Sequence, residues 1–143
     1  MSSRVAKFGG TSIRDAACMK RCAKLVSDDP YLKFVVVSAT AKTTNQLEEF
    51  ASRSLSGEKE ALDILYSIFD RHRSILCELD PTSADKENFE ALLETILGEG
   101  RRILGSIRER GEVSAELLDW IYSFGERLSS HLFHLALVRT LTN

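Results

Sequence analysis

In the segment Val5-Ala6-Lys7-Phe8-Gly9-Gly10-Thr11-Ser12, a lysine stands at the end of a β-prone run and two glycines follow where the chain must leave it. A strand over Arg4 to Phe8 is expected to turn into a helix, opened by Ser12-x-x-Asp15 in the pattern of a capping box and running to about Val26. Gly9 and Gly10 let the backbone bend and approach a ligand with no side chain between them, and Thr11 or Ser12 can cap the helix. Backbone amides at a helix start carry partial positive charge, so this geometry suits phosphate. The same residues also suit a plain tight turn followed by a capped helix.

Beyond Asp28-Asp29-Pro30, which ends the helix, Phe34-Val35-Val36-Val37 has the pattern of a strand buried on both faces of a parallel sheet between helix layers. Strand, helix and strand make a right-handed crossover and place the chain in the α/β class. From Thr43 onward nearly everything reads as helix. Thr43-x-x-Gln46 or Asn45-x-x-Glu48 starts one helix, Gly57 breaks it, and a second runs to about Leu79. Asp80-Pro81-Thr82-Ser83 turns the chain, and Thr82 or Ser83 caps a helix from Ala84 to about Arg110, weakened locally by Gly98 and Gly100. Gly111 precedes a last helix over roughly Val113 to Leu141. There Leu117, Ile121, Phe124, Leu128, Leu132, Leu135 and Val138 recur at spacings of three and four, a core stripe. Two strands are few for this much helix, so further strands are expected from outside residues 1–143.

A net charge of −2 excludes a nucleic-acid binder held by bulk electrostatics, though a few lysines and amides can still dominate a small anion site. No stretch is long and apolar enough to span a membrane, and the first residues lack the apolar run of a signal peptide. Cys18 and Cys22 share one helix face, where bridge geometry is poor and small apolar side chains pack as core. A reducing cytoplasm is the expected compartment. His72, His131 and His134 lie outside any nucleophile pattern and are assigned no chemistry, and no metal site is expected. Arg101, Arg102, Arg108 and Arg110 read as a solvated helix face.

Two more segments join the first in a recognisable order. Lys7-Phe8-Gly9-Gly10-Thr11-Ser12, then Ser38-Ala39-Thr40-Ala41-Lys42-Thr43-Thr44-Asn45, then Ser123-Phe124-Gly125-Glu126-Arg127-Leu128-Ser129-Ser130 together resemble the signatures of the aspartokinases, in the amino-acid kinase family. The resemblance covers the whole chain and is closest to the lysine-sensitive, single-function bacterial type. Lys42 departs from it, since many relatives carry glycine or another small residue there. Aspartokinases continue through a nucleotide-binding half and regulatory ACT domains. The resemblance therefore implies that residues 1–143 are the helix-rich amino-terminal half of a three-layer α/β sandwich with a mainly parallel sheet, inactive alone.

It also implies a chemistry: ATP-dependent phosphorylation of the side-chain carboxylate of L-aspartate with Mg2+, opening lysine, threonine and methionine biosynthesis, in a homo-oligomer. Lys7 would be catalytic, offsetting phosphate charge, with Gly9, Gly10, Thr11 and Ser12 lining the phosphate turn. Ser38, Thr44, Gly125 and Glu126 would bind aspartate, with Glu126 on its ammonium and Gly125 leaving room for close approach. On a helix, Glu126 has Tyr122, Ser130, Phe133 and Leu137 for neighbours, so its carboxylate would want a cation. An ion pair with Arg127 is the plain alternative. Other readings are a kinase for another amino acid or carbamate, and a short noncatalytic protein that binds an amino acid or a partner.

Overall fold

The computed structural model describes residues 2–143, folded as β1 (Arg4–Phe8), α1 (Ala16–Asp28), β2 (Leu32–Val37), α2 (Thr43–Arg53), α3 (Glu58–Cys77), α4 (Ser83–Arg110) and α5 (Ala115–Thr142). β1 and β2 pair in parallel, Val5 opposite Phe34 and Lys7 opposite Val36, with an irregularity between Arg4 and Val5. A parallel pair needs a crossover longer than a hairpin turn, and α1 provides it.

The residues that start and stop these elements explain their bounds. Asp15, not Ser12, caps α1: its carboxylate accepts from the Cys18 amide at 2.8 Å. Ser12 lies further back, in the preceding turn, where its amide donates to Gly9 O at 3.0 Å. Thr82 and Asp85 form a reciprocal capping box at the start of α4, and Gly111, in the left-handed region at φ 72, ends it. Ser114 caps α5 through the Leu117 amide. The start of α2 departs from both expected capping boxes, because Lys42 occupies the cap position at φ 71 and offers no side-chain bond.

α5 organises the core. It packs against α1, α2, α3, α4 and β2, and Leu117, Ile121, Phe124, Leu128, Leu132 and Leu135 of its stripe are buried, together with Gly125, Ser129, Phe133 and Ala136 on other sides. A helix buried on several sides must be apolar on several sides. Phe133 meets Phe8 of β1 with ring centroids 5.7 Å apart, which anchors one face of the sheet. The opposite face corrects the expectation of a strand buried on both sides: Phe34 is 67% exposed, Val5 65% and Val36 49%. Cys18 and Cys22 are buried free thiols. Gly100 does not interrupt α4; a Cβ there would lie 3.0 Å from Leu65 Cδ2, so the glycine permits close packing on α3.

Two other glycines set the geometry at the carboxyl end of the sheet. A Cβ on Gly10 would come within 2.7 Å of Ala39 O, and one on Gly125 within 2.6 Å of Ala39 Cβ and 3.3 Å of Thr43 Cγ2. Gly9 has no such neighbour within 4 Å. Overpacking a well-filled site costs about 1–3 kcal/mol, so Gly10→Ala and Gly125→Ala should each lower unfolding stability by roughly that amount. Gly9→Ala should leave it within about 1 kcal/mol. Denaturant midpoints of the three variants check this, and equal effects at Gly9 and Gly10 would contradict it.

Candidate active site

The three motif segments meet at the carboxyl end of β1 and β2, the edge where open α/β sheets bind ligands. The Ser38 amide continues the ladder to Phe8 O at 3.0 Å, and the Ala41 amide donates to Gly10 O at 3.1 Å, so the turn after β1 and the loop after β2 are tied together. From α5, the Ser129 hydroxyl donates to Ser38 O at 2.6 Å. Ala39, 5% exposed, is wedged between Gly10 and Gly125.

Within this frame the turn after β1 is open. Lys7, Gly9, Thr11 and Ser12 are exposed. A groove of about 530 Å³ runs beside Thr11 and Ser12, lined further by Arg14, Arg21, Lys24 and Asp28 and by both α1 thiols. Cys22 holds the turn from below, its thiol 3.2 Å from Ser12 O. The start of α1 is not where an anion would sit, since the Asp15 carboxylate already fills it; the Cys18 amide that it accepts from holds Asp15 below the usual carboxylate range. The start of α1 therefore offers no free site to an anion.

Glu126 is exposed on α5, and its face is more open than its helical neighbours suggested, since Ser130 is exposed as well. The alternative ion pair with Arg127 is not formed. Arg127 instead forks onto Glu99, Nη1 to Oε2 at 2.6 Å and Nη2 to Oε1 at 3.2 Å, and Trp120 Nε1 also donates to Oε2 at 2.9 Å. The Arg127 bonds hold the Glu99 carboxyl below its ordinary range. Glu126 makes no ion pair among the described residues. Gly125 is buried against Ala39 and Thr43, so the room it leaves is taken by the loop after β2.

Beneath that loop lies a polar chain that sequence reading did not find. His72, fully buried, points Nδ1 at Ile68 O at 2.7 Å. A carbonyl only accepts, so Nδ1 carries the proton and Nε2 is an acceptor. Thr40 Oγ1, 3.2 Å from Nε2, must then donate to it, and Thr43 Oγ1, 2.6 Å from Thr40 Oγ1, donates in turn. Arg71 completes the chain, giving Nη2 to Thr43 Oγ1 at 2.5 Å. Thr43 thus faces inward while Thr44 is exposed on the first turn of α2. The one available signal was Arg71-His72 interrupting an otherwise apolar helical stripe, Leu65, Ile68, Phe69, Ile75 and Leu76.

The model of the Amino acid kinase family matches residues 3–140. The chain belongs to this family. Lysine-sensitive aspartokinase 3 of Escherichia coli is 36% identical over 132 residues, covering 90% of this chain and 27% of the relative. The crystal structure of E. coli aspartokinase III with lysine and aspartate superposes with a TM-score of 0.79 at 32% identity, over 95% of this chain and 29% of that one. Its structure with aspartate and ADP gives a TM-score of 0.78 at the same identity and coverage. The chain spans between a quarter and a third of the length of these relatives, and its fold is the helix-rich part of the amino-acid kinase fold with a small parallel sheet. Lys42, the departure within the second motif, has φ 71, a conformation that costs a non-glycine residue about 1–2 kcal/mol.

Burial pushes the His72 imidazole down from 6.5 to about 4. The folded value lies below the unfolded one, so the neutral ring contributes stability that is complete above pH 6.5 and lost as pH falls toward 4. At 1.36 kcal/mol per unit this amounts to roughly 3 kcal/mol. Stability of the chain should therefore fall more steeply between pH 6.5 and 4 than that of His72→Gln, which keeps an acceptor for Thr40 without a titratable ring. Identical slopes in paired urea titrations would rule out this role for His72.

Proposed function

We propose that residues 1–143 form the substrate and phosphate-turn part of an aspartate kinase, transferring the terminal phosphoryl group of ATP to the side-chain carboxylate of L-aspartate to give 4-phospho-L-aspartate. The observation that supports this is the junction at Ala39, where the turn after β1, the loop after β2 and α5, the segments that carry Lys7, Ser38, Thr44 and Glu126, pack against one another. The E. coli relative was crystallised with aspartate and ADP, which supports this ligand pair here. A nucleotide-binding half, ACT domains, a homo-oligomeric assembly, a cytoplasmic location and a place in lysine biosynthesis belong to the same reading.

Nucleophile and donor are both anions, so positioning and fixed positive charge must do most of the work. ATP supplies the phosphoryl group, and Mg2+ carried on its phosphates shares their charge. Features on the donor side are consistent with this: Lys7 is exposed, Gly9 is unobstructed, and a groove with Arg14 and Arg21 in its lining reaches Thr11 and Ser12. Lys7 offsets charge on the transferring group, and Gly9, Gly10, Thr11 and Ser12 let the backbone approach it. Ser38 and Thr44 offer hydroxyl donors to a carboxylate without adding a competing charge. Glu126, left without a cationic partner by the Arg127–Glu99 pair, receives the ammonium of aspartate.

Kinetics of the enzyme that carries this segment test both ends of the site. Lys7→Ala should lower kcat by about a hundredfold or more while changing the KM for aspartate little, because its charge matters most in the transition state. Near-normal turnover would remove Lys7 from the mechanism. Glu126→Gln, equal in size and neutral, should raise the KM for aspartate strongly and leave that for ATP unaltered. The reverse pattern would show that the ammonium contact is misassigned.

A further inference from the structure

The stretch from Ala41 to Gln46, which carries Thr44, starts α2 under two handicaps. Its cap residue, Lys42, is in the left-handed region at φ 71, and no side chain caps the helix. Arg71, reaching across from α3, ties this stretch down from one side. It donates from Nη1 to Ala41 O at 2.6 Å and from Nη2 to Thr43 Oγ1 at 2.5 Å and Gln46 Oε1 at 2.8 Å. These bonds grip both sides of Lys42 and the first helical turn at once, which needs the flat, forked guanidinium and not a point charge.

The arrangement is expensive for a purely structural strut. All three acceptors are uncharged, burial lowers the pKa of the guanidinium, and its Nε is buried without a partner among the described residues. A half-buried cation without a carboxylate beside it costs free energy that a neutral side chain would avoid. It lies under a loop that, on the reading above, receives a dicarboxylic amino acid, where a carboxylate next to Arg71 would compete with the substrate.

We propose that Arg71 is a positioning residue for the amino-acid substrate: its fork holds the Lys42–Gln46 turn in the shape that presents Thr44. It acts through Ala41, Thr43 and Gln46 and does not itself touch the substrate. This role rests on the aspartate kinase reading.

Arg71→Lys, which keeps the charge and loses the fork, and Arg71→Met, which loses both, test it in two ways. In the chain itself, amide hydrogen exchange over residues 42–46 should quicken by about tenfold in both variants, with residues 128–132 of α5 unchanged. In the enzyme carrying the segment, the KM for aspartate should rise about fivefold or more in both, with the KM for ATP held within about twofold. Unaltered exchange at 42–46, or equal acceleration in α5, would overturn the proposal, as would a Lys variant that behaves like the unsubstituted protein. Normal turnover of the unsubstituted enzyme with an unchanged aspartate KM in Arg71→Met would defeat this inference alone. An unsubstituted enzyme without aspartate-dependent turnover would defeat the kinase reading, and the positioning role with it.

Discussion

The close approach of three chain segments at Ala39 is the constraint on which the rest of the structure depends. Gly10 faces its carbonyl and Gly125 faces its methyl, each too near for a β-carbon of its own. Because those contacts are made with backbone and with a single methyl group, neither neighbour has a flexible end that can swing aside. The turn after β1, the loop after β2 and the middle of α5 are thereby locked together, and the side chains proposed to bind substrate and phosphate share that lock. Gly9, one residue from Gly10, is under no such restriction and stands open to whatever the turn binds.

Below the junction, a chain of hydrogen bonds runs in one direction, from Arg71 through Thr43 and Thr40 to His72 and on to Ile68 O. The direction follows from the last member, since a carbonyl can only accept. Every hydroxyl in the chain both donates and accepts, so each buried oxygen is satisfied, and one protonation state of the histidine suits the whole. Polar groups in a core impose orientation where apolar packing would allow several. Here they orient the loop that carries the proposed substrate contacts.

Ion pairing on α5 shows a related division of labour. Neighbouring residues of a helix point in different directions, so Glu126 and Arg127 cannot easily pair with each other. Arg127 turns toward Glu99 of α4 and helps fasten those helices, while Glu126 is exposed and makes no ion pair among the described residues. The ion pair thus commits the adjacent Arg127 elsewhere and leaves the Glu126 carboxylate for the ammonium contact proposed above.

Local signals in the sequence were enough for most of the elements. Strand β1, the Asp80–Ser83 turn, the Thr82 cap, the Gly111 stop and the apolar stripe of α5 were legible because each depends on residues within a few positions of one another. The family was legible too, through three short motifs in order. What went wrong was competition and long-range contact. Ser12 lost the cap of α1 to Asp15, which immediately precedes the helix start at Ala16. The β2 run reads as buried on both faces, yet Phe34 and Val36 are exposed, since a strand's own pattern cannot say what lies across from it. Gly100 and Gly125 looked like a weak point and a gap for substrate, but the space beside each is filled by a residue far away in sequence. Arg71 and His72 showed no motif at all, because their partners lie near Ala41, about thirty residues earlier. Elements follow from neighbours along the chain, but which polar groups share a buried network depends on how helices pack, and only the tertiary structure decides that.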